Sequence, residues 1–257
     1  QCRRIVPGSE GAVQDQDRNL TFPKLLNVRD LGGSRRHTGG QTRWRALLRA
    51  DDLCRLTPEG AAALLDYGVR TVIDLRWPLD VESYPNLFHQ QPDLLTHHHI
   101  SLLGASLEAW RAVRPQSPKE MFNCLVLEYA KTETRTVLQA IAAAPAGGVL
   151  FHCVSGKDRT GFIAALLQLL ADVETEEIVQ DYMLSTENLR EPYLTAHPTA
   201  QDATLERVRC PPEQIENMLR HLQAHYGTVI GYLRAIGLHE QEIAQLKARL
   251  VAEAAER

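Results

Sequence analysis

Apolar positions along the chain fall into short β-branched runs separated by longer stretches with helical spacing. Val69–Leu75 (VRTVIDL) reads as a buried strand. Trp44–Ala50 and Ile100–Leu103 also read as strands, and Gly147–Phe151 (GGVLF) is a short buried strand running straight into His152 and Cys153. Thr57-Pro58-Glu59 supplies a cap, a first-turn proline and an acid at a helix start, and Gly68 ends that helix. Residues 77–95 carry Pro78, Pro85 and Pro92 and read as irregular, whereas 106–113, 118–130 and 132–144 have helical spacing. Thr160–Ala171 is apolar all round, which predicts a buried helix. Further helical segments lie near 174–184, 186–196, 211–226, 228–236 and 239–255, divided by Pro192, Pro198, Pro211 and Pro212. Strands alternating with helices predict an α/β fold in a single domain, with a mostly parallel central sheet flanked by helices and a helix-rich C-terminal half. Residues 1–20 read as a polar tail or an edge extension. The broken helices at 185–226 have two readings, a helical lid or peripheral packing.

Composition narrows the function classes. The chain has 257 residues and a net charge of -4, which argues against a general nucleic-acid binder but leaves room for a local basic pocket. Five cysteines (Cys2, Cys54, Cys124, Cys153 and Cys210) make an odd number with no CxxC pair, so neither a disulfide framework nor a zinc site is expected. No run approaches the roughly 18 apolar residues of a membrane span. Gln1–Gln16 contains Arg3 and Arg4 but no apolar signal core, so the expected location is cytoplasmic or secreted. The sequence leaves the oligomeric state open. His97-His98-His99 can bring at most two rings to one side of a strand and reads as surface or edge histidines. Glu174, Glu176 and Glu177 read as a solvated helix start. Arg43, Arg45 and Arg49 alternate at strand spacing; they could line a face near a substrate, but a solvated face is expected.

The stretch that carries chemistry is Val149-Leu150-Phe151-His152-Cys153-Val154-Ser155-Gly156-Lys157-Asp158-Arg159-Thr160-Gly161, followed by the apolar helix. A thiol that attacks phosphorus must be ionised at neutral pH. A helix N-terminus and a ring of backbone N–H groups favour the thiolate, and the same donors bind phosphate oxygens. A strand, a tight loop and a helix start provide that geometry. Cys153 and Arg159 stand six positions apart at the two ends of the loop, and an arginine fork binds two phosphate oxygens at once. The backbone from Val154 to Thr160 would then wrap the anion, with Gly156 supplying a conformation closed to other residues. Thr160 places a hydroxyl where it can stabilise a departing thiolate. Of the five cysteines, only Cys153 has an arginine six positions later.

His152-Cys153-x-x-Gly156-Lys157-Asp158-Arg159-Thr160-Gly161 resembles the signature loop of the protein tyrosine phosphatase superfamily. More closely, it resembles the bacterial tyrosine/phosphoinositide phosphatases with a GKDRTG loop, including those secreted by intracellular pathogens. Asn27-x-Arg29-Asp30-Leu31-Gly32-Gly33, Asp74-Leu75-Arg76 and Tyr226-Gly227-x-x-x-Gly231-Tyr232-Leu233 are similar to that family's secondary motifs, so the resemblance spans about residues 25–240 and implies a phosphatase domain over 21–257. It implies Cys153 as the nucleophile of a phosphocysteine intermediate, Arg159 as the phosphoryl binder, and no metal or organic cofactor. The implied substrates are phosphotyrosine proteins and phosphoinositide lipids, with no nucleic-acid partner.

The leaving oxygen needs a proton, normally from a carboxylic acid. Familiar tyrosine phosphatases supply an aspartate some thirty residues before the cysteine, but no Asp occurs here between Asp93 and Asp158. Trp77-Pro78-Leu79-Asp80 looks like the usual acid loop at the wrong spacing and reads as coincidence. The resemblance supports Asp158, inside the loop, as the acid; its alternative is a carboxylate that stabilises the helix start. Asp74 is the second candidate, its alternative being an ion pair that orients Arg159 or Arg76. Lys157 is expected either on a second phosphate of an inositol head group or in solvent, and His152 as a residue that orients the loop. Two rival functions remain at this level: a rhodanese-like sulfurtransferase and a catalytically inactive phosphate-binding module.

Overall fold

Six strands form one sheet: β1 (Asn19–Leu20), β2 (Val28–Asp30), β3 (Leu47–Ala50), β4 (Val69–Asp74), β5 (Thr96–His99) and β6 (Gly148–His152), in the order β1-β2-β3-β6-β4-β5. The computed structural model describes residues 17–91, 93–104, 108, 112, 116–197 and 205–251. The pairs β3–β6, β6–β4 and β4–β5 are parallel, while β1–β2 and β2–β3 are antiparallel. Ten α-helices complete the described part of one α/β domain: α1 (Pro58–Tyr67), α2 (Pro78–Ser83), α3 (Leu87–Gln90), α4 (Phe122–Tyr129), α5 (Lys131–Ala143), α6 (Asp158–Leu170), α7 (Thr175–Ala196), α8 (Pro212–Tyr226), α9 (Val229–Ala235) and α10 (Glu240–Leu250). None among the described residues is long and apolar enough to cross a membrane.

Side-chain alternation along the strands decides which helices cover which face. Leu47, Ile73, Val149 and Phe151 pack into a cluster with α4–α10, whereas Leu48, Val72 and Leu150 pack into another with Ala61 and Leu64 of α1. The central strand β6 is buried on both faces, as a parallel strand between two helical layers must be. Helix α6 is buried through nearly its whole length, in keeping with its all-round apolar sequence. Thr57 caps α1 by accepting from the Gly60 amide, and Gly68, at φ 112°, ends it.

Several boundaries depart from the sequence expectation. The strand expected at Ile100–Leu103 lies four residues earlier, at Thr96–His99, because its parallel bonds to β4 are made by backbone and tolerate the polar histidines at a sheet edge. Residues 77–95, expected to be irregular, contain α2 and α3. The two segments expected at 174–184 and 186–196 form one helix, α7, with Pro192 inside it. Pro192 lies in the last turns, where its missing N–H costs a single intrahelical bond. Of the helix expected over 106–113, only residues 108 and 112 are described. Asn19–Leu20, at the end of the segment read as tail or edge extension, pair with β2 as an edge strand.

Parallel registry sets the site. Ala50 of β3 and Asp74 of β4 both stand opposite His152, so three strands end together and the loop from Cys153 emerges between the residues that follow β3 and β4. Crevices outside the carboxyl ends of such strands are where α/β folds bind ligands.

Candidate active site: a backbone loop between two charge networks

The loop Cys153–Arg159 connects the end of β6 to the first turn of α6. Three consecutive carbonyls are bonded outward to the scaffold. Val154 O accepts from the Asp52 amide at 3.0 Å, Ser155 O from Asn27 Nδ2 at 2.9 Å, and Gly156 O from Arg49 Nη2 at 2.8 Å. In a planar trans peptide the N–H points opposite to the C=O. The amides of Ser155, Gly156 and Lys157 therefore turn toward the loop's interior, a backbone nest for an anion. Gly156, at φ 65°, makes this possible; a Cβ there would stand 2.5 Å from Ala50 O. Cys153 is buried at the loop's floor, and the buried Thr160 hydroxyl has no hydrogen-bond partner among the described residues. Arg159 donates to Leu75 O at 3.3 Å, and its guanidinium lies 5.4 Å from the Trp77 ring centre.

On the β3 side, two buried arginines share one acid. Arg49 Nη1 donates to Asp181 Oδ2, and Arg29 Nε donates to Asp181 Oδ1 at 3.0 Å. Arg29 also donates to Ser185 Oγ at 2.9 Å and to Asn27 Oδ1. Burial and the neighbouring Arg49 lower the Arg29 pKa to about 10, still charged at neutral pH. Burial alone would raise the Asp181 pKa, but Arg49 and Arg29 outweigh it and hold the carboxyl down. The solvated face expected for Arg49 is thus overturned: it is fully buried, because its acid partner arrives from α7. Arg43 and Arg45 precede β3, and Arg45, at φ 60°, covers the Tyr67 ring.

On the β4 side the proportions reverse. Arg76 reaches both Asp74 oxygens, at 2.7 and 2.9 Å, and bonds Asp52 Oδ1 at 2.9 Å and Tyr84 O at 2.8 Å. Burial opposes ionisation of Asp74, yet His152 at 3.6 Å and the Arg76 fork outweigh it and bring the carboxyl to about 2. Burial lowers the His152 pKa, and its Nδ1 lies 3.2 Å from Cys153 O, while the Leu75 amide donates to His152 O at 2.8 Å.

Asp158 opens α6 with its side chain 35% exposed. Gln214 Nε2 donates to its Oδ1 at 3.2 Å, and the Tyr182 hydroxyl is 3.5 Å away. Lys157 is buried rather than solvated, its ammonium donating to the carbonyls of Arg207 at 2.7 Å and Arg209 at 3.2 Å. The loop thus brings together Cys153, Lys157, Asp158, Arg159 and Thr160, while Asp74 stands outside it, engaged by Arg76.

The sequence model of the tyrosine phosphatase family matches residues 20–252. The chain belongs to the tyrosine phosphatase family. A tyrosine-protein phosphatase of Nostoc commune is 35% identical over 223 residues, covering 80% of this chain and 74% of the relative. The triple specificity protein phosphatase PtpB of Mycobacterium tuberculosis is 24% identical over 280 residues, covering 90% of this chain and 98% of the relative. This tyrosine phosphatase family member is a phosphoric monoester hydrolase, which sets aside the sulfurtransferase and binding-module readings.

Two clefts flank the phosphatase loop. One, of 310 Å³, is lined by Lys119, Lys157, Asp158, Arg207, Arg209 and Gln214 among others. The other, of 680 Å³, runs from Val154 and Ser155 along Leu26, Arg55, Leu189 and Tyr193. Among the residues that brace the loop, Asp52, Asp181 and Gln214 carry no signal in the sequence. Asn27 lies with Arg29 in a secondary motif, and strand spacing gives Arg49 the alternative of a face near a substrate. Trp77-Pro78-Leu79-Asp80, read as a coincidental likeness to an acid loop, has another role for its first residue: the Trp77 ring sits beneath Arg159, and Asp80 accepts from the Trp77 amide at 3.3 Å. Glu177, expected in solvent, is largely buried and pairs with Arg18 and Arg35. His97–His99 lie on the edge strand, and no group of metal-ligating side chains occurs among the described residues.

Proposed function

We propose that the protein hydrolyses phosphotyrosine through a phosphocysteine intermediate. The observation that carries this reading is the set of three loop carbonyls held outward by Asp52, Asn27 and Arg49, which turns the loop amides onto one anion above Cys153. The Cys153 thiolate attacks phosphorus, forming the S–P bond as the bond to the tyrosyl oxygen breaks. Asp158 gives its proton to that oxygen, and Arg159 and the loop amides hold the three equatorial oxygens, where charge is spread in the transition state. Water then attacks the phosphocysteine, Asp158 takes its proton, and phosphate leaves as the thiolate is restored beside the Thr160 hydroxyl. Asp158 is the acid in this scheme because its carboxyl is partly exposed at the loop, whereas Asp74 is buried under Arg76. The contacts of Arg207 and Arg209 with Lys157, of Gln214 with Asp158, and the run of Leu189 to Ala196 along the larger cleft favour residues 185–197 and 205–226 as a wall of the substrate site.

A phosphoinositide is the second substrate class. The cleft beside Asp158 sets four cations, Lys119, Lys157, Arg207 and Arg209, against three acids, Glu120, Asp158 and Glu206, with Arg209 paired to Glu206; the single excess positive charge is what favours a further phosphate there.

Phosphate release from a phosphotyrosine peptide and from phosphoinositide vesicles tests both readings. Cys153→Ser should abolish release, and Asp158→Asn should lower kcat by about 10²–10⁴-fold. Full activity in Cys153→Ser would overturn the thiolate mechanism; an unchanged rate in Asp158→Asn would remove Asp158 as the acid.

A further inference from the structure

We propose that Asp181, on α7, is a positioning residue that holds the phosphate loop in its anion-binding shape through Arg49 and Arg29. The proposal rests on the thiolate reading above. Asp181 does not touch the loop. Its Oδ2 accepts from Arg49 Nη1, and the other branch of that guanidinium, Nη2, donates to Gly156 O at 2.8 Å. Its Oδ1 accepts from Arg29 Nε at 3.0 Å. Arg29 in turn reaches Asn27 Oδ1, and Asn27 Nδ2 donates to Ser155 O at 2.9 Å. One carboxylate therefore bears on both side chains that hold the Ser155 and Gly156 carbonyls, with Asn188 Nδ2 a second donor to Asn27 Oδ1 at 3.2 Å. All members are buried, with Arg29 and Arg49 fully so and Asp181 2% exposed.

Elementary electrostatics shows what Asp181 does that packing does not. Arg29 and Arg49 repel each other, and Asp181 is the shared counterion between them. Without it the two guanidiniums move apart. The Gly156 and Ser155 carbonyls then lose their fixed donors, and the amides that follow them lose their aim. Catalytic amides misplaced by a fraction of an ångström are costly, because the anion they serve is held by geometry rather than by net charge.

The sign of one measurement separates this role from two simpler ones. The probe is the pH profile of Cys153 alkylation by iodoacetate, with and without inorganic phosphate, in wild type, Asp181→Asn and Arg49→Lys. If Asp181 acts only as a distant negative charge, removing it favours the thiolate and moves the profile to lower pH. If it serves only stability, the melting temperature falls and the profile stays. A positioning role moves the profile to higher pH, weakens protection by phosphate, and lowers kcat/KM by roughly a hundredfold. Arg49→Lys keeps the charge pair but loses the fork that spans Asp181 and Gly156 O, so it should shift the profile the same way; it also serves if Asp181→Asn does not fold. A profile that is unmoved or moves to lower pH in the folded variants overturns the assignment. Wild-type alkylation that phosphate does not slow would instead indict the thiolate reading itself.

Discussion

The Cys153–Arg159 loop stands between two charge networks of opposite composition. In one network two arginines, Arg29 and Arg49, share Asp181; in the other, two aspartates, Asp74 at the end of β4 and Asp52 just after β3, share Arg76. The cation-rich side reaches the loop with side chains, Arg49 on Gly156 O and Asn27 on Ser155 O. The acid-rich side reaches it with backbone, the Asp52 amide on Val154 O and the Leu75 amide on His152 O. The difference explains the roles of the carboxylates. Loop carbonyls need donors, so acids can brace the loop only indirectly, by fixing the backbone or an arginine. Asp74 and Asp181 therefore stand as counterions of buried arginines, and the proposed scheme assigns proton transfer to Asp158.

The largest break in that comparison comes from removing the minority charge on the acid-rich side. Arg76→Met leaves Asp74 and Asp52 without their shared cation, and an uncompensated buried charge costs about 3–5 kcal/mol. Urea denaturation should show a midpoint lowered accordingly. A shift under about 1 kcal/mol would mean that solvent or a rearranged neighbour already satisfies these acids.

Acid sharpens the same contrast without mutation. The folded-state pKa of Asp74 is depressed to about 2. Its contribution is full above the unfolded value near 4 and is lost as pH falls from there through about 2, amounting to about 2 kcal/mol. Stability measured between pH 5 and pH 2 should decline, and the decline should be shallower by that amount in Asp74→Asn. Equal slopes in the two proteins would show that other carboxylates carry the acid transition.

Much of this arrangement was legible in local sequence. The GGVLF run, the Cys-to-Arg spacing and the apolar stretch after Thr160 each report on neighbours within a few residues, and β6, the loop and α6 lie where those patterns put them. The bracing residues report on partners far away. Arg49 and its acid are 132 positions apart, and Asn27 lies 128 positions from the carbonyl it holds. An arginine spaced at strand period with no nearby acid looks solvated, because periodicity says which face a residue takes but not what meets it there. The same limit hid Trp77. Its tetrapeptide resembles an acid loop through Asp80, whereas the contact of Trp77 with Arg159 comes from the packing of β4 beside β6.

Trp77 supplies the smallest and most selective test of the β4 side. Its ring lies 5.4 Å from the Arg159 guanidinium, which also donates to Leu75 O, so two β4-side groups hold the arginine. A cation over an aromatic face at a partly exposed site is worth about 1 kcal/mol. Trp77→Leu keeps an apolar contact but loses the π face, leaving Arg159 its charge and its freedom. KM should rise by roughly fivefold, the equivalent of that energy, with kcat nearly unchanged if Arg159 re-forms its fork once phosphate is bound. A fall in kcat with KM unchanged would place the ring's effect in the transition state instead, and Trp77 would then hold Arg159 in the geometry of the transferring phosphoryl group.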